Sequence, residues 1–453
     1  MLQDEGYALV LSGGGAKGAY HLGVWRALDE LNIPIKAIIG TSIGAVLGAA
    51  IATGDAKVLA KATQMFSIDH VIKLPESFQK DGELRLSSGD FKDYRKALHT
   101  FIGKRGLDTS PFREMINTWI SEEAIRNSGY DFGINTINIT TRKPQEIFLD
   151  QMPKGSLTSY LLASSAFPGF ERPMIDGHKY IDGGVYDSIP YQMARRRGYH
   201  KIIVVDISGV GIKHKLNFIG TQTVYIKNTS SLGGVLDFNK ETIRGLRELG
   251  YLDTLRCFGA IEGDSYYIKK DLRLERLFTE HQAGDPAQES LEHSLKAFHI
   301  KGQKGRTPTV NDLKLERSST DRRELMLFSD YAATILKVER KRLYDYKELI
   351  KTLNEARRRE DIKICDHLGT CDQTRRPETV ASIEKLVKVG LDASLLKETP
   401  YFLYRLVTEI LAKTAQRAAV NTLLRLYPQL PGGLYLLELI QDNELFLVDT
   451  DTH

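Results

Sequence analysis

Two apolar runs near the N-terminus each break at glycine and resume as a helix signal. The second is the more constraining. Ile35-Lys36-Ala37-Ile38-Ile39 leads into Gly40-Thr41-Ser42-Ile43-Gly44, and Ala45-Val46-Leu47-Gly48-Ala49-Ala50-Ile51-Ala52 follows. Strand, tight turn and helix are thus written in succession, the context a nucleophile elbow requires. The backbone at the central Ser42 is crowded by its own strand and helix, and glycine on either side removes the Cβ atoms that would clash. A chain that folds this way holds the Ser42 hydroxyl at a helix N-terminus, where the dipole favours an anionic intermediate.

The first run, Tyr7–Leu11, leads into Gly13-Gly14-Gly15-Ala16-Lys17-Gly18 and then a helix from about Ala19 to Leu31, with Leu22, Trp25, Leu28 and Leu31 at helical spacing. A glycine loop after a strand can serve a dinucleotide, but that fold wants an acidic residue at the end of the second strand, where Gly40-Thr41-Ser42 stands. A P-loop is excluded because Gly18, not Ser or Thr, follows Lys17. Beside an elbow, the same loop can aim backbone N–H groups at a tetrahedral oxyanion. Gly14 and Gly15, joined by Ile43, are the expected donors.

A serine hydroxyl needs a base. None of the 11 histidines lies in a segment that reads as a catalytic loop. His178, in Asp176-Gly177-His178-Lys179-Tyr180, reads as a turn residue. Asp182, in Ile181-Asp182-Gly183-Gly184, ends a short β-like run. A partly desolvated carboxylate there can accept the serine proton directly. Alone, Asp-Gly-Gly reads as a β-turn.

Together, Gly13–Gly18, Gly40–Gly44, Asp182–Gly184 and the stretch Ser164-Ser165-Ala166-Phe167-Pro168-Gly169-Phe170 resemble the patatin-like phospholipase family over about 7–206. The resemblance implies a three-layer α/β fold and a Ser42–Asp182 dyad without histidine. It implies action on ester bonds of lipids, and neither metal nor organic cofactor. Phospholipase A or lysophospholipase chemistry is the first expectation. Acyl transfer and neutral-glyceride hydrolysis on the same dyad are alternatives. A nucleotide-binding module at Gly13–Gly18 and an interaction role for the C-terminal helices are readings from other classes.

Alternating strands and helices over the first part of the chain independently argue for an α/β domain with a mainly parallel sheet. Lys201–Asp206 reads as a buried parallel strand, Phe132–Thr140 and Glu146–Leu149 as neighbours, and Thr223–Ile226 as another. Helices are expected at 55–66, 91–102, 110–126 and 156–165, with Ser110 as cap before Pro111. A surface loop is expected at 69–90. We place a catalytic domain at 1–270, a linker or irregular segment at 271–310 and a helical region at 311–453. In that region Leu325, Phe328, Ala332, Ile335, Leu343, Tyr346, Ile350 and Leu353 follow a three/four spacing, and further amphipathic helices are expected from Ser382 to Leu426.

With 62 basic against 58 acidic residues, charge gives no argument for nucleic acid. Cys257, Cys365 and Cys371 give no disulfide framework or zinc set, which suits a reducing compartment. The acidic start Met1-Leu2-Gln3-Asp4-Glu5 is unlike a secretory signal, and no run reaches about 20 apolar residues, so a cytoplasmic chain without a spanning helix is expected. Membrane contact, where the substrate is a lipid, is sought in Arg195-Arg196-Arg197, Arg357-Arg358-Arg359 or the helix 399–426. Each of these also reads as a solvated or packed helix face. Lys17 reads as a solvated residue of the first turn.

Overall fold

The structure is a computed structural model. It describes residues 6–73 and 106–270 apart from 63, 65, 68, 69, 229 and 236, a short hairpin within 79–84, and in the C-terminal part 322–368, 399–403 and scattered positions between 427 and 440. The chain divides into two compact units, Met1–Gly259 and Ala260–His453.

In the first unit, β1 (Tyr7–Leu11), α1 (Ala19–Glu30), β2 (Ile35–Thr41), α2 (Ile43–Ala52) and α3 (Ala56–Ala62) follow the two apolar runs. A two-stranded ribbon, β3 (Gln79–Lys80) with β4 (Glu83–Leu84), lies within the stretch read as a surface loop. The helix expected at 110–126 is two helices, α4 (Ser110–Trp119) and α5 (Glu122–Asn127), because Ile120 turns extended between them. Ser110 is the first helical residue rather than the cap. Thr109 holds that place, and it caps without a side-chain bond. Then come β5 (Asp131–Asn138), β6 (Lys143–Phe148), α6 (Leu157–Ser164), β7 (Met174–Ile175), β8 (His178–Asp182), α7 (Tyr191–Arg196), β9 (Lys201–Asp206), β10 (Gln222–Lys227) and α8 (Lys240–Cys257).

The sheet order is β10-β9-β1-β2-β5-β8-β7, with β6 paired to β5 off this path. The first five strands run parallel, and β8, β7 and β6 join antiparallel. The central strands are apolar on both faces, as a sheet covered by helices on both sides demands. On one face Ala8, Val10, Ala37, Ile39, Ile202 and Val204 pack against Tyr191, Met193 and Ala194 of α7. On the other, α2 lies close enough that a Cβ on Gly48 would sit 2.9 Å from Ile38 and 3.4 Å from Phe132. The result is a three-layer α/β domain.

The second unit holds β11 (Ile261–Glu262), β12 (Tyr267–Lys269), α9 (Arg322–Ile335), β13 (Leu343–Tyr344) and α10 (Tyr346–Leu368). β11 pairs with β12 and β12 with β13, although the sequence groups residues 261–269 with the catalytic domain. Leu343 therefore belongs to a strand, and the helical spacing breaks at 336–345. Buried Asp330 of α9 accepts backbone N–H groups from Asp264, Ser265 and Tyr266. The helix expected at 91–102, the segment 281–309 and nearly all of 382–426 lie outside the described residues.

Candidate active site

Strand register decides where the two motif ends meet. One edge of β5 is shared: β2 pairs with its first half and β8, running the opposite way, with its last residues. Thr41 ends β2 opposite Asn135, and Asp182 ends β8 opposite Thr136. Two strands thus finish head-on beside consecutive residues of a third. Ser42 is the next residue after Thr41, and its Oγ donates to Asp182 Oδ2 at 2.6 Å.

Ser42 itself has φ +57° and ψ −129°, a conformation L-residues avoid, and it begins α2. Its flanking glycines are sterically required. A Cβ on Gly40 would lie 2.4 Å from the Ala45 nitrogen, and one on Gly44 2.3 Å from the Leu11 carbonyl oxygen. Two backbone amides hold the turn as well: Ala45 and Val46 N–H both donate to Ser42 O.

Asp182 is 5% exposed. Its Oδ1 accepts the Gly184 N–H at 2.7 Å, leaving Oδ2 for Ser42. Burial pushes its carboxyl up to about 6, against the opposing pull of the Ser42 and Gly184 hydrogen bonds. Such a group is ionised at neutral pH and basic enough to take a proton.

The glycine loop is a turn of 3-10 helix, Gly15–Gly18, packed beside the elbow. Not all of its N–H groups are available. Gly13 N–H donates to Ser188 O and Ala16 N–H to Val235 O. The N–H groups of Gly14, Gly15 and Ile43 have no hydrogen-bond partner among the described residues, and all three residues line the cavity that contains Ser42 and Asp182. Gly18 is buried against Ile43. Lys17 is not a solvated residue: its Nζ donates to Ser208 O at 3.0 Å, and burial lowers its pKa. Gly183 lies against Asn135, where a Cβ would be 2.2 Å from its carbonyl oxygen.

The cavity opens to solvent. Apart from the polar groups above, Phe66, Phe112, Phe167, Phe170 and Phe238 dominate its lining. Phe167 and Phe170, from the stretch singled out in the sequence, stack edge-on at 5.9 Å. Among the described residues no three His, Cys, Asp or Glu side chains gather as metal ligands.

Three further polar residues bind the site together, and of these only Asn135 lies outside the motifs singled out in the sequence. Ser164, at the end of α6, accepts the Ser42 N–H at 2.8 Å and donates to Asn135 O at 2.7 Å. Asn135 Nδ2 donates to Gly183 O at 3.2 Å and Asp187 O at 2.8 Å. Thr41 Oγ1 donates to the same Asp187 carbonyl. Elbow and aspartate turn are thereby bonded to one asparagine. Only a polar side chain on a mostly apolar strand could have flagged Asn135.

Of the histidines, His178 is the first strand residue of β8, paired with Ile175, not a turn residue. His21 is wholly buried, and its Nε2 donates to Ser12 O at 2.9 Å, while burial lowers its pKa to about 4. Neither lines the cavity.

Residues 9–195 match the family model described as patatin-like phospholipase. They are a patatin-like phospholipase domain. Mouse patatin-like phospholipase domain-containing protein 7 is 30% identical over 221 residues, which is 46% of this chain and 14% of that protein. Lysophospholipase NTE1 of Cryptococcus neoformans is 30% identical over 204 residues, 45% of this chain and 11% of its own. The chain thus spans only a small part of these curated relatives. The solved structure of VipD from Legionella pneumophila aligns over 99% of this chain and 92% of its own at 15% identity and TM-score 0.34. That likeness is too loose to bear on the fold, which the sheet order establishes directly. The patatin-like domain contains the glycine loop, the elbow and the Asp182 turn, while Val210, Val235 and Phe238, beyond the matched residues, complete the cavity lining.

Proposed function

We propose that the patatin-like domain hydrolyses acyl esters of lipids with Ser42 as nucleophile and Asp182 as its proton acceptor. The observation that carries this reading is the 2.6 Å hydrogen bond from Ser42 to a buried carboxylate inside a phenylalanine-lined cavity. Asp182 takes the hydroxyl proton as Ser42 Oγ attacks the ester carbonyl carbon. Negative charge gathers on the carbonyl oxygen, and the N–H groups of Gly14, Gly15 and Ile43 receive it. Each such donor is worth about 10²–10³ in turnover. The tetrahedral intermediate collapses, the proton held by Asp182 goes to the leaving alcohol, and an acyl-Ser42 ester remains. Water, deprotonated by Asp182, then attacks the acyl carbon and frees the fatty acid and Ser42.

Apolar lining supports an acyl chain as the bound group, because burying such a chain is favourable at about 0.8 kcal/mol per CH₂. The relative named as a lysophospholipase supports phospholipid-type esters as the substrate class. Mass-spectrometric profiling of a mixed lipid extract incubated with the unaltered chain or with Ser42→Ala tests this. Free fatty acid should appear, with loss of one phospholipid class, only with Ser42 present. Equal release by the variant contradicts the reading.

A further inference from the structure

Four of the six arginines in the basic runs that the sequence offers for membrane contact are engaged with protein groups. Arg195 donates to the carbonyls of Asn217 and Ile219, Arg196 pairs with Glu146, and Arg197 pairs with Asp131 and Asp150. Arg357 donates to Leu437 O. A different surface lies at the cavity itself. Val210 is 70% exposed and also lines the cavity, and Ile212 is 54% exposed. Val185, in the turn after Asp182, is 42% exposed. Solvent-exposed branched aliphatics grouped at a cavity mouth need a partner more than isolated ones do.

This loop is fixed to the catalytic machinery. Ile212 N–H donates to Gly184 O at 2.9 Å, and Ser188 N–H donates to Ile212 O at 2.7 Å. Gly209 lies so close to the glycine loop that a Cβ on it would stand 2.0 Å from Gly13 O. Whatever the aliphatic side chains enter is therefore held in register with Ser42. The loop after β9 carries two lysines, of which one is paired. Lys17 and Lys213 both lie near one carboxylate, Asp206, to which Lys213 bonds at 2.7 Å. Exposed Lys215 has no carboxylate partner among the described residues.

We propose that Val185, Val210 and Ile212, with exposed Lys215 on the same loop as Ile212, dock the domain on an anionic phospholipid bilayer, so that the cavity mouth opens at the lipid surface. The aliphatics enter the acyl boundary while Lys215 meets a headgroup phosphate, the division of labour of interfacial binding. This rests on the lipid-esterase reading above, but its test does not.

The test is co-sedimentation of the full chain carrying Ser42→Ala with diether-lipid vesicles, of phosphatidylcholine alone or with an equal part of phosphatidylserine. The chain should pellet with the anionic vesicles, and adding Ile212→Ser with Lys215→Glu should weaken that binding by about tenfold or more. With Ser42 intact, the same pair of substitutions should slow hydrolysis of ester-linked phospholipid in vesicles of the same two headgroup compositions and leave a water-soluble short-chain ester unaffected. Indifference of the parent chain to anionic vesicles overturns the proposal, as does full binding by the substituted one. Loss of short-chain hydrolysis along with vesicle hydrolysis also overturns it, because the pair would then act through the site. Vesicle binding by a chain that hydrolyses neither substrate upholds the docking surface while the esterase reading fails.

Discussion

Ser42 donates to Asp182 across 2.6 Å although 140 residues separate them in the chain. The pairing is a consequence of register. Thr41 stands opposite Asn135, Asp182 stands opposite Thr136, and the two strand ends have nowhere to go but toward one another. A slip of one residue in either pairing would turn each side chain to the other face of the sheet and break the dyad. Backbone register therefore places Ser42 and Asp182 side by side.

The rate of ester hydrolysis should titrate with Asp182. Only the carboxylate form accepts a proton, and burial raises its pKa to about 6. kcat/KM on a soluble ester should be flat at higher pH and fall about tenfold per unit below 6. A limb centred at the ordinary aspartate value, with none near 6, would contradict the assigned environment.

Asp182→Asn should be inactive and more stable. The folded carboxyl titrates near 6 against 3.8 when exposed. Ionising it therefore disfavours the fold: its contribution is most favourable below the unfolded value and is lost as pH rises through 6. At pH 7 the charge costs up to about 3 kcal/mol, which the neutral amide relieves. Thermal unfolding at neutral pH should show a higher Tm for the variant, with the difference vanishing in acid.

His21 acts in the opposite sense. Its pKa falls from 6.5 to about 4 on burial, so the fold favours the neutral ring. That contribution is complete above 6.5 and is lost as pH falls toward 4, amounting to about 3 kcal/mol. His21→Gln keeps a donor for the Ser12 carbonyl and should flatten the acid limb of the stability curve, measured by urea unfolding across pH 4–7.

Ser164→Ala should lower kcat with little change in KM. The substitution leaves the Ser42 N–H without its acceptor and Asn135 O without its donor. An unmet buried polar group costs about 1–3 kcal/mol, so a 10- to 100-fold loss is expected if the strain falls on the nucleophile turn. Steady-state kinetics on a short-chain ester separates this from a binding defect, which would raise KM instead.

Much of this was legible in the sequence because local chemistry writes it there. The elbow needs glycine where Gly40 and Gly44 stand, and the buried parallel strands must be apolar on both faces. What stayed hidden depends on long-range pairing. Asn135 looks like any strand asparagine, and the stretch that begins at Ser164 does not say that its hydroxyl accepts the Ser42 N–H, until β5 brings them beside Ser42. Leu343 fits a helical spacing by coincidence, yet pairs as a strand with Tyr267, and no local signal reports such a partner. The arginine run at 195–197 reads as a basic patch because its acceptors, Glu146, Asp131 and Asp150, lie about 50 residues or more away in sequence.

The most direct measurement of the dyad mechanism is intact-protein mass spectrometry during turnover of a slowly deacylating ester. One acyl group should accumulate on the peptide that contains Ser42, and neither Ser42→Ala nor Asp182→Asn should carry it. Acylation at another residue, or undiminished acylation in the Asp182→Asn chain, would contradict the account.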